Sequence, residues 1–305
     1  MTTTLAPIVL FAYARPEHTT RTLESLAANA LASESDLVVY ADCARSGAEA
    51  ERVRAVRDIV RRAKGFRSVS LIERETSYGL ARNVIEGVTE VCGRHGRVIV
   101  LEDDIVTGRN FLAFMNAALD RYADDPRVWH ISGWNYPIDP AGLGDAFLWR
   151  VMNCWGWATW ADRWSHFRRD TDYLIKTWGK DKIVRFNLDG AYDFWAQVQG
   201  NSKGKLNTWA VFWYATIFEN QGLCLNPTRS FVRNIGHDGS GENCGCSDDF
   251  SASRLASEFG RFPLDIEESA LAVLRVKGFY KGMRRSFVQK AVSYVRNLVS
   301  VMAGH

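Results

Sequence analysis

The chain lacks any apolar run long enough to cross a bilayer. Runs such as Pro7 to Ala14, eight residues, fall far short of the roughly 20 that a transmembrane helix needs. No basic segment precedes that run, so it does not read as a secretory signal, and a cytoplasmic location is expected. Cysteine is scarce. Six in 305 residues are too few for a disulfide scaffold and read as reduced thiols. Cys244 and Cys246 follow His237 closely, but no second Cys or His pair completes a zinc set. Glycine is missing from Phe11-Ala-Tyr-Ala-Arg-Pro16, where a first strand should pass into a first helix. The dinucleotide fingerprint and the P-loop are therefore both absent, which excludes hydride transfer and ATP hydrolysis by those routes. Tryptophan is absent from the first 128 residues and the last 92, and acidic residues are absent from Ser269 onward.

What is present is globular, with 47% hydrophobic and 24% charged residues. The length suits one large domain or two halves. The net charge of +3 hides an asymmetry, because the stretch from Ser269 holds seven Lys or Arg. Subtracting them from 38 leaves 31 basic against 35 acidic residues in the remainder. A mildly acidic body carries no electrostatic footprint for nucleic acid. In the basic stretch, Arg284, Arg285, Lys290 and Arg296 accompany Val288, Val292, Val295 and Val299 at helical spacing. Such a helix either lies on an anionic membrane surface or packs its valines on the body.

The first third alternates strand and helix signals. Pro7–Tyr13, Asp36–Ala41, Val69–Ile72 and Arg97–Leu101 are short continuous apolar runs, the pattern of strands buried on both faces. Between them, Leu23, Leu26, Ala27 and Ala30 share a helical face, as do Val53, Val56 and Val60, then Leu80, Val84, Val88 and Val91. The order βαβαβαβ predicts a mostly parallel sheet flanked by helices. The second third has weaker periodicity. It suggests a turn at Asn187–Gly190, helices over Tyr192–Val198 and Thr208–Glu219, and a long ordered loop from Asn226 to Gly245. All eleven tryptophans lie between Trp129 and Trp213. They form either an aromatic core or the lining of a cleft for a ligand such as a sugar.

The strongest chemical signal is Glu102-Asp103-Asp104, directly after the fourth predicted strand. Open α/β sheets bind ligands at the carboxyl ends of their strands. Crowded carboxylates there repel one another unless a cation neutralises them, and hard oxygen ligands suit Mg²⁺ or Mn²⁺ together with substrate phosphates. The alternative is capping of the segment that follows. A carboxylate–metal site without a phosphate-cradling glycine loop leaves nucleotide-sugar transfer as the best remaining class.

Pro7-Ile-Val-Leu-Phe-Ala-Tyr-Ala-Arg-Pro-Glu-His18, Gly79-Leu-Ala-Arg-Asn83 and Val98-Ile-Val-Leu-Glu-Asp-Asp104 resemble the donor half of bacterial GT-A glycosyltransferases. Within these, the chain resembles family 2-like enzymes similar to N-acetylglucosaminyltransferase I. Ser132-Gly-Trp-Asn-Tyr-Pro137, Cys154-Trp-Gly-Trp-Ala-Thr-Trp160 and Asn234-Ile-Gly-His-Asp-Gly-Ser-Gly241 fit the same group. The resemblance spans about residues 7 to 245. It implies a donor half over 1–127, an acceptor and catalytic half over 128–250, and a helical basic tail over 251–305. Phe11, Ala12, Tyr13, Arg15 and Asp42 would hold the nucleotide, and Arg82 would approach it unless it is a plain helix-surface charge. Asp104 would bind Mn²⁺ or Mg²⁺, with Glu102 and Asp103 facing base, ribose or metal waters. His237 would add a ligand, or be an ordinary loop histidine. Trp155, Trp157 and Trp160 would close over the acceptor sugars, unless two of the three are simply core; the spacing of 155 and 157 puts them on opposite faces, so that at least one points toward the ligand.

The resemblance implies a nucleotide-sugar donor, UDP-linked sugars favoured, and a glycan or lipid-linked acceptor. It also implies a place on the cytoplasmic side, with possible membrane contact through the tail. The chain departs from the group's pattern at Asn207-Thr208, where an Asp is expected before Trp209, and at Asn243, where a His is expected before Cys244. An inverting transfer still needs a carboxylate base. Among Asp162, Asp189, Asp193 and Asp238, Asp193 is the candidate, because Tyr192 and Trp195 could desolvate it. Two other readings stay open: a carbohydrate-binding protein without turnover, and a nucleotidyltransferase.

Overall fold

The computed structural model describes residues 4–239, 250 and 254–283. Strands and helices alternate through the first third: β1 (Ile8–Ala12), α1 (Pro16–Ala27), β2 (Asp36–Ala41), α2 (Gly47–Arg61), β3 (Ser68–Glu73), α3 (Gly79–His95) and β4 (Arg97–Glu102). The rest adds β5 (Ile105–Thr107), α4 (Phe111–Arg121), β6 (Val128–Ser132), β7 (Ala146–Trp149) and β8 (Trp157–Trp160). Five helices follow, α5 (Ala161–Trp164), α6 (Thr171–Thr177), α7 (Lys180–Phe186), α8 (Trp195–Ser202) and α9 (Ala210–Glu219), and then β9 (Leu223–Pro227) and β10 (Val232–Asn234). Residues 270–283 form a further helix, α10.

One mixed eight-stranded sheet runs through both halves in the order β3-β2-β1-β4-β8-β6-β9-β7. The β3-β2-β1-β4 side is parallel, and β8 pairs antiparallel with both β4 and β6. This is the expected α/β class, a mixed and mostly parallel sheet flanked by helices. The central strand β1 is buried along its whole length, with β2 and β4 covering its two edges and α3 packed against it. α1 starts with Pro16 at its first turn, where a missing N–H costs nothing, and buries Thr19, Thr22, Leu23 and Leu26. α3 buries Val84, Val88 and Val91 and stops at Gly96, whose φ of 77° only glycine adopts without strain.

Several expectations need correction. β3 is not buried on both faces; as the sheet's edge strand it alternates between exposed and half-buried residues. The stretch read as a loop from Asn226 holds the end of β9 and all of β10, which pairs antiparallel with β5. Of Trp155, Trp157 and Trp160, the last two take the core alternative. They belong to β8, which is fully buried between β4 and β6. Trp157 stacks on His130 and Trp209, with ring centroids at 5.3 and 5.2 Å. Each indole buries a large apolar area, so most of the tryptophan belt is core.

The Asn187–Gly190 turn is as expected, with Leu188, Asp189 and Gly190 all at positive φ. Asp189 there pairs with Arg150 at 2.9 Å and with Lys277 of α10 at 3.2 Å. α10 also buries Ala272, Val276 and Tyr280, and Arg275 pairs with Asp139 at 3.2 Å. The described part of the basic tail thus packs on the body. Arg284, Arg285, Lys290, Arg296 and the valines among them lie outside the described residues, as do Cys244 and Cys246. Among the described residues no helix is long and apolar enough to cross a membrane.

Candidate active site

At the carboxyl ends of β1, β2 and β4 lies a cleft of about 480 Å³. Phe11 to His18, Asp42, Arg45, Glu49, Leu80, Asn83, Glu102, Asp103, Asp104 and Asp238 all contribute to its lining. A second cavity of about 370 Å³ adjoins it, walled by Trp134, Tyr136, Trp155, Tyr192, Phe194, Trp209, Tyr214 and Phe250. Both linings contain Leu80, Glu102 and Asp104. A polar chamber and an aromatic chamber therefore meet at two carboxylates.

The three acids are not equivalent. Asp103 is buried, and both its oxygens are engaged. Oδ2 accepts from the backbone N–H of Tyr13 at 2.9 Å, and Oδ1 accepts from Nη2 of Arg15. Its carbonyl also accepts from Thr22 Oγ1 at 2.7 Å. Asp103 thus ties the end of β4 to the β1–α1 corner. Asp104 is buried as well. Its Oδ2 faces Nη1 of Arg15 at 3.1 Å, while Oδ1 has no hydrogen-bond partner among the described residues. Its carbonyl accepts from Ile235 N at 2.8 Å, which brings the late loop onto the site. Gly236 lies so close that a Cβ there would overlap the Asp104 carboxylate. Glu102 lines both cavities and lies in register with Phe11 across the sheet.

Burial pushes the Glu102 carboxyl up to about 8, with Asp104 and Asp103 adding repulsion. Burial also raises Asp103 above the usual carboxylate range, against the pull of Arg15. The opposite charges of Asp103 and Asp104 more than offset desolvation of the Arg15 guanidinium, whose pKa rises further. Such a group of acids favours a cation.

The residues expected to hold a nucleotide are brought together more fully than those expected at an acceptor. Phe11, Ala12, Tyr13, Arg15 and Asp42 all line the first cleft. The Tyr13 hydroxyl donates to Glu49 at 2.6 Å, and Arg45 covers its ring 5.0 Å from the centroid. Asp42 is less available than its position suggests. Its oxygens accept from the backbone N–H groups of Cys43, Tyr78 and Gly79 at 2.8–2.9 Å, fixing the start of α3. Arg82 does not reach the cleft. It is exposed, donates to Glu86 at 2.6 Å and lies over Tyr78; Leu80 and Asn83 of the same block line the cleft instead.

On the aromatic side, Trp155 and His237 line the second cavity, with ring centroids 5.3 Å apart. Trp134, Tyr136 and Trp209 were not singled out as ligand residues. For 134 and 136 the signal is the Ser132–Pro137 block, whose alternation puts both on one face; Trp209 lies outside it. The indole N–H of Trp134 and the Asn153 side-chain amide are buried donors without a partner among the described residues, and both residues line this cavity. Beneath it, His130 is fully buried. Trp213 Nε1–H donates to its Nδ1 at 3.2 Å, which leaves Nε2–H to donate to the Asn153 carbonyl at 3.0 Å.

Asp193 does not line the second cavity, although its neighbours Tyr192 and Phe194 do. It is exposed, and its Oδ1 accepts from Ala196 N at 3.1 Å and Asn187 Nδ2 at 3.0 Å, which caps α8. The desolvation expected of it is absent. Asn207, at the place of the expected Asp, is likewise exposed and accepts from Arg169 at 2.7 Å.

No protein-family model and no curated protein matches the sequence. Among solved structures, the chain is similar to the mannosyltransferase PcManGT from Pyrobaculum calidifontis in complex with GDP-Man and Mn²⁺. Identity is 12% and the TM-score 0.38, over 70% of this chain and 69% of that one. At that distance the likeness says nothing of activity, which has to be read from the cleft itself.

Proposed function

We propose that this protein is a metal-dependent glycosyltransferase that moves a sugar from a nucleotide-sugar donor to a hydroxyl of a glycan or lipid-linked acceptor. One observation carries the reading: the polar chamber at the strand ends and the aromatic chamber beside it share Glu102 and Asp104. A transferase needs two substrates to meet at one charged point, and a simple binding cleft does not. The first chamber supplies the Tyr13 ring, Asn83 and the basic Arg15 and Arg45 for a nucleoside diphosphate. The second supplies aromatic faces for the apolar sides of sugars, together with the donors of Trp134 and Asn153, unpartnered among the described residues, for their oxygens.

The residues fit a divalent ion. Asp104 Oδ1 is a buried carboxylate oxygen without a partner among the described residues, and Glu102 stands beside it. Among the described residues no three His, Cys, Asp or Glu side chains form a cage. That suits Mg²⁺ or Mn²⁺, which take one or two carboxylates and complete their shell with phosphates and water. When bound, the ion supplies neutralisation of the diphosphate leaving group. Asp104 and Glu102 would hold it, Asp103 and Tyr13 N would keep the corner rigid, and Leu80 would separate base from acceptor.

A second reading is favoured by the lining of the aromatic chamber, whose only carboxylates among the described residues are Glu102 and Asp104. It is a carbohydrate-binding protein that keeps both chambers without turnover. Release of nucleotide from a panel of UDP-, GDP- and dTDP-sugars, with Mn²⁺ and with Mg²⁺, separates the two. Turnover with any member supports the transferase; binding without turnover supports the second reading. Neither binding nor turnover refutes both.

A further inference from the structure

Arg15 stands where a second cation has to arrive. Its guanidinium bridges Asp103 and Asp104, both buried, and takes the Asp104 Oδ2 that lies next to Oδ1, which has no partner among the described residues. The backbone beneath it is fixed. Ala14 sits at a φ of 44°, Pro16 opens α1, and the Arg15 carbonyl accepts from Thr19 N at 2.9 Å and Thr19 Oγ1 at 2.8 Å. The side chain, about one-fifth exposed toward the cleft, is the part that can move.

We propose that Arg15 is a built-in counter-cation that makes divalent-metal binding conditional on nucleotide. The inference rests on the divalent-ion part of the proposed function. With the cleft empty of ligand, the single positive charge of the guanidinium is shared between Asp103 and Asp104, so an incoming M²⁺ meets a site already partly neutralised and a positive charge beside it. A unit charge at such separations is a large term even in a well-screened protein site. A nucleoside diphosphate changes the balance. Its phosphate oxygens offer Arg15 a bidentate partner of the geometry guanidinium prefers, which releases Asp104 Oδ2 while the phosphates supply the remaining metal ligands. Metal and nucleotide then bind cooperatively, and each binds weakly alone. By reciprocity of linked equilibria, the factor by which nucleotide tightens metal equals the factor by which metal tightens nucleotide.

The test follows Mn²⁺ by its electron paramagnetic resonance signal in the full chain, alone and with UDP or GDP. In the wild type, nucleotide is expected to tighten Mn²⁺ at least ~10-fold, equivalent to about 1.4 kcal/mol. Arg15→Met, which keeps the reach and removes the charge, is expected to bind Mn²⁺ alone at least ~10-fold tighter than wild type and to lose most of that coupling. Arg15→Lys keeps the charge but not the bidentate fork, so its binding of Mn²⁺ alone should stay near wild type while the coupling to nucleotide falls. If Arg15→Met binds Mn²⁺ alone no better than wild type, while wild type still takes up Mn²⁺ with nucleotide, the counter-cation role is overturned and the transferase reading stands. If the Met variant does not fold, as read by circular dichroism, the wild-type titration decides: Mn²⁺ that binds equally with and without nucleotide overturns the proposal. If no protein binds Mn²⁺ under any condition, both fail.

Discussion

His130 makes the pH dependence of stability a direct test of the core beneath the aromatic chamber. The ring is fully buried, stacks on Trp157, and has both nitrogens in neutral hydrogen bonds, to Trp213 and to the Asn153 carbonyl. Burial is the dominant cause that pushes its pKa from 6.5 down to about 3, and the bond to Asn153 only partly opposes it. The sign follows from proton counts. Below pH 6.5 the unfolded chain binds a proton that the folded chain refuses, so stability is complete above 6.5 and is lost as pH falls toward 3. Between pH 8 and pH 5 the ratio of the two binding polynomials is about 30, a loss of about 2 kcal/mol, approaching about 1.4 kcal/mol per pH unit. Glu102 works in the opposite direction, because its raised pKa lets the folded state hold a proton that the unfolded state has released. The raw curve therefore mixes the two. Urea unfolding of wild type and of His130→Gln in EDTA, at pH 8, 7, 6 and 5, isolates the histidine, since the variant keeps every other titrating group. The stability gap between the two proteins should shrink by about 2 kcal/mol on going from pH 8 to pH 5. Parallel curves over that range would refute the argument and mean that the native state accepts the proton.

Three further outcomes are expected. Asp104→Asn should weaken Mn²⁺-dependent nucleotide binding by about 1–3 kcal/mol, the scale of losing a charged partner, as read by calorimetry; equal binding of wild type in EDTA would remove the metal from the site. Asp193→Asn should leave turnover near wild type, because the amide oxygen can still accept from Ala196 N and Asn187; a fall of ~100-fold, the low end for losing a general base, would restore it as the base. Burial raises the Cys92 thiol to about 12 and the Cys224 thiol well above its usual value. Neither should react with Ellman's reagent at pH 8 until the protein unfolds, and reaction of either in the native state would show that the core opens.

The first half of the chain was legible in the sequence because its physics is local. A parallel strand buried on both faces has to be a continuous apolar run, and β1, β2 and β4 lie within a residue or two of where such runs predict them. The ends of those strands put Glu102, Asp103 and Asp104 at a cleft without further information. Only β3 escaped the pattern, since as the last strand of the sheet it has a neighbour on one edge only and stays partly open to solvent. The second half was not legible in this way. β6, β7 and β8 are four or five residues long and wholly buried, so they show no alternation, and their neighbours in the sheet come from distant parts of the chain. Nothing in Trp155-Gly-Trp157 says which indole faces a cavity and which is sealed between β4 and β6.

The same division runs through the site. The sequence identifies three adjacent acids, but adjacency does not distinguish them. The β1–α1 corner decides that Asp103 is held by Tyr13 N and Arg15, while Glu102 and Asp104 stay open to both chambers. Residue type likewise makes Asp193 a possible base, whereas the fold leaves it on the surface as the cap of α8. Residue types and periodicity record what a segment must bury. Which carboxylate oxygen is left without a partner depends on groups brought close from elsewhere in the chain, and only the packed structure brings them there.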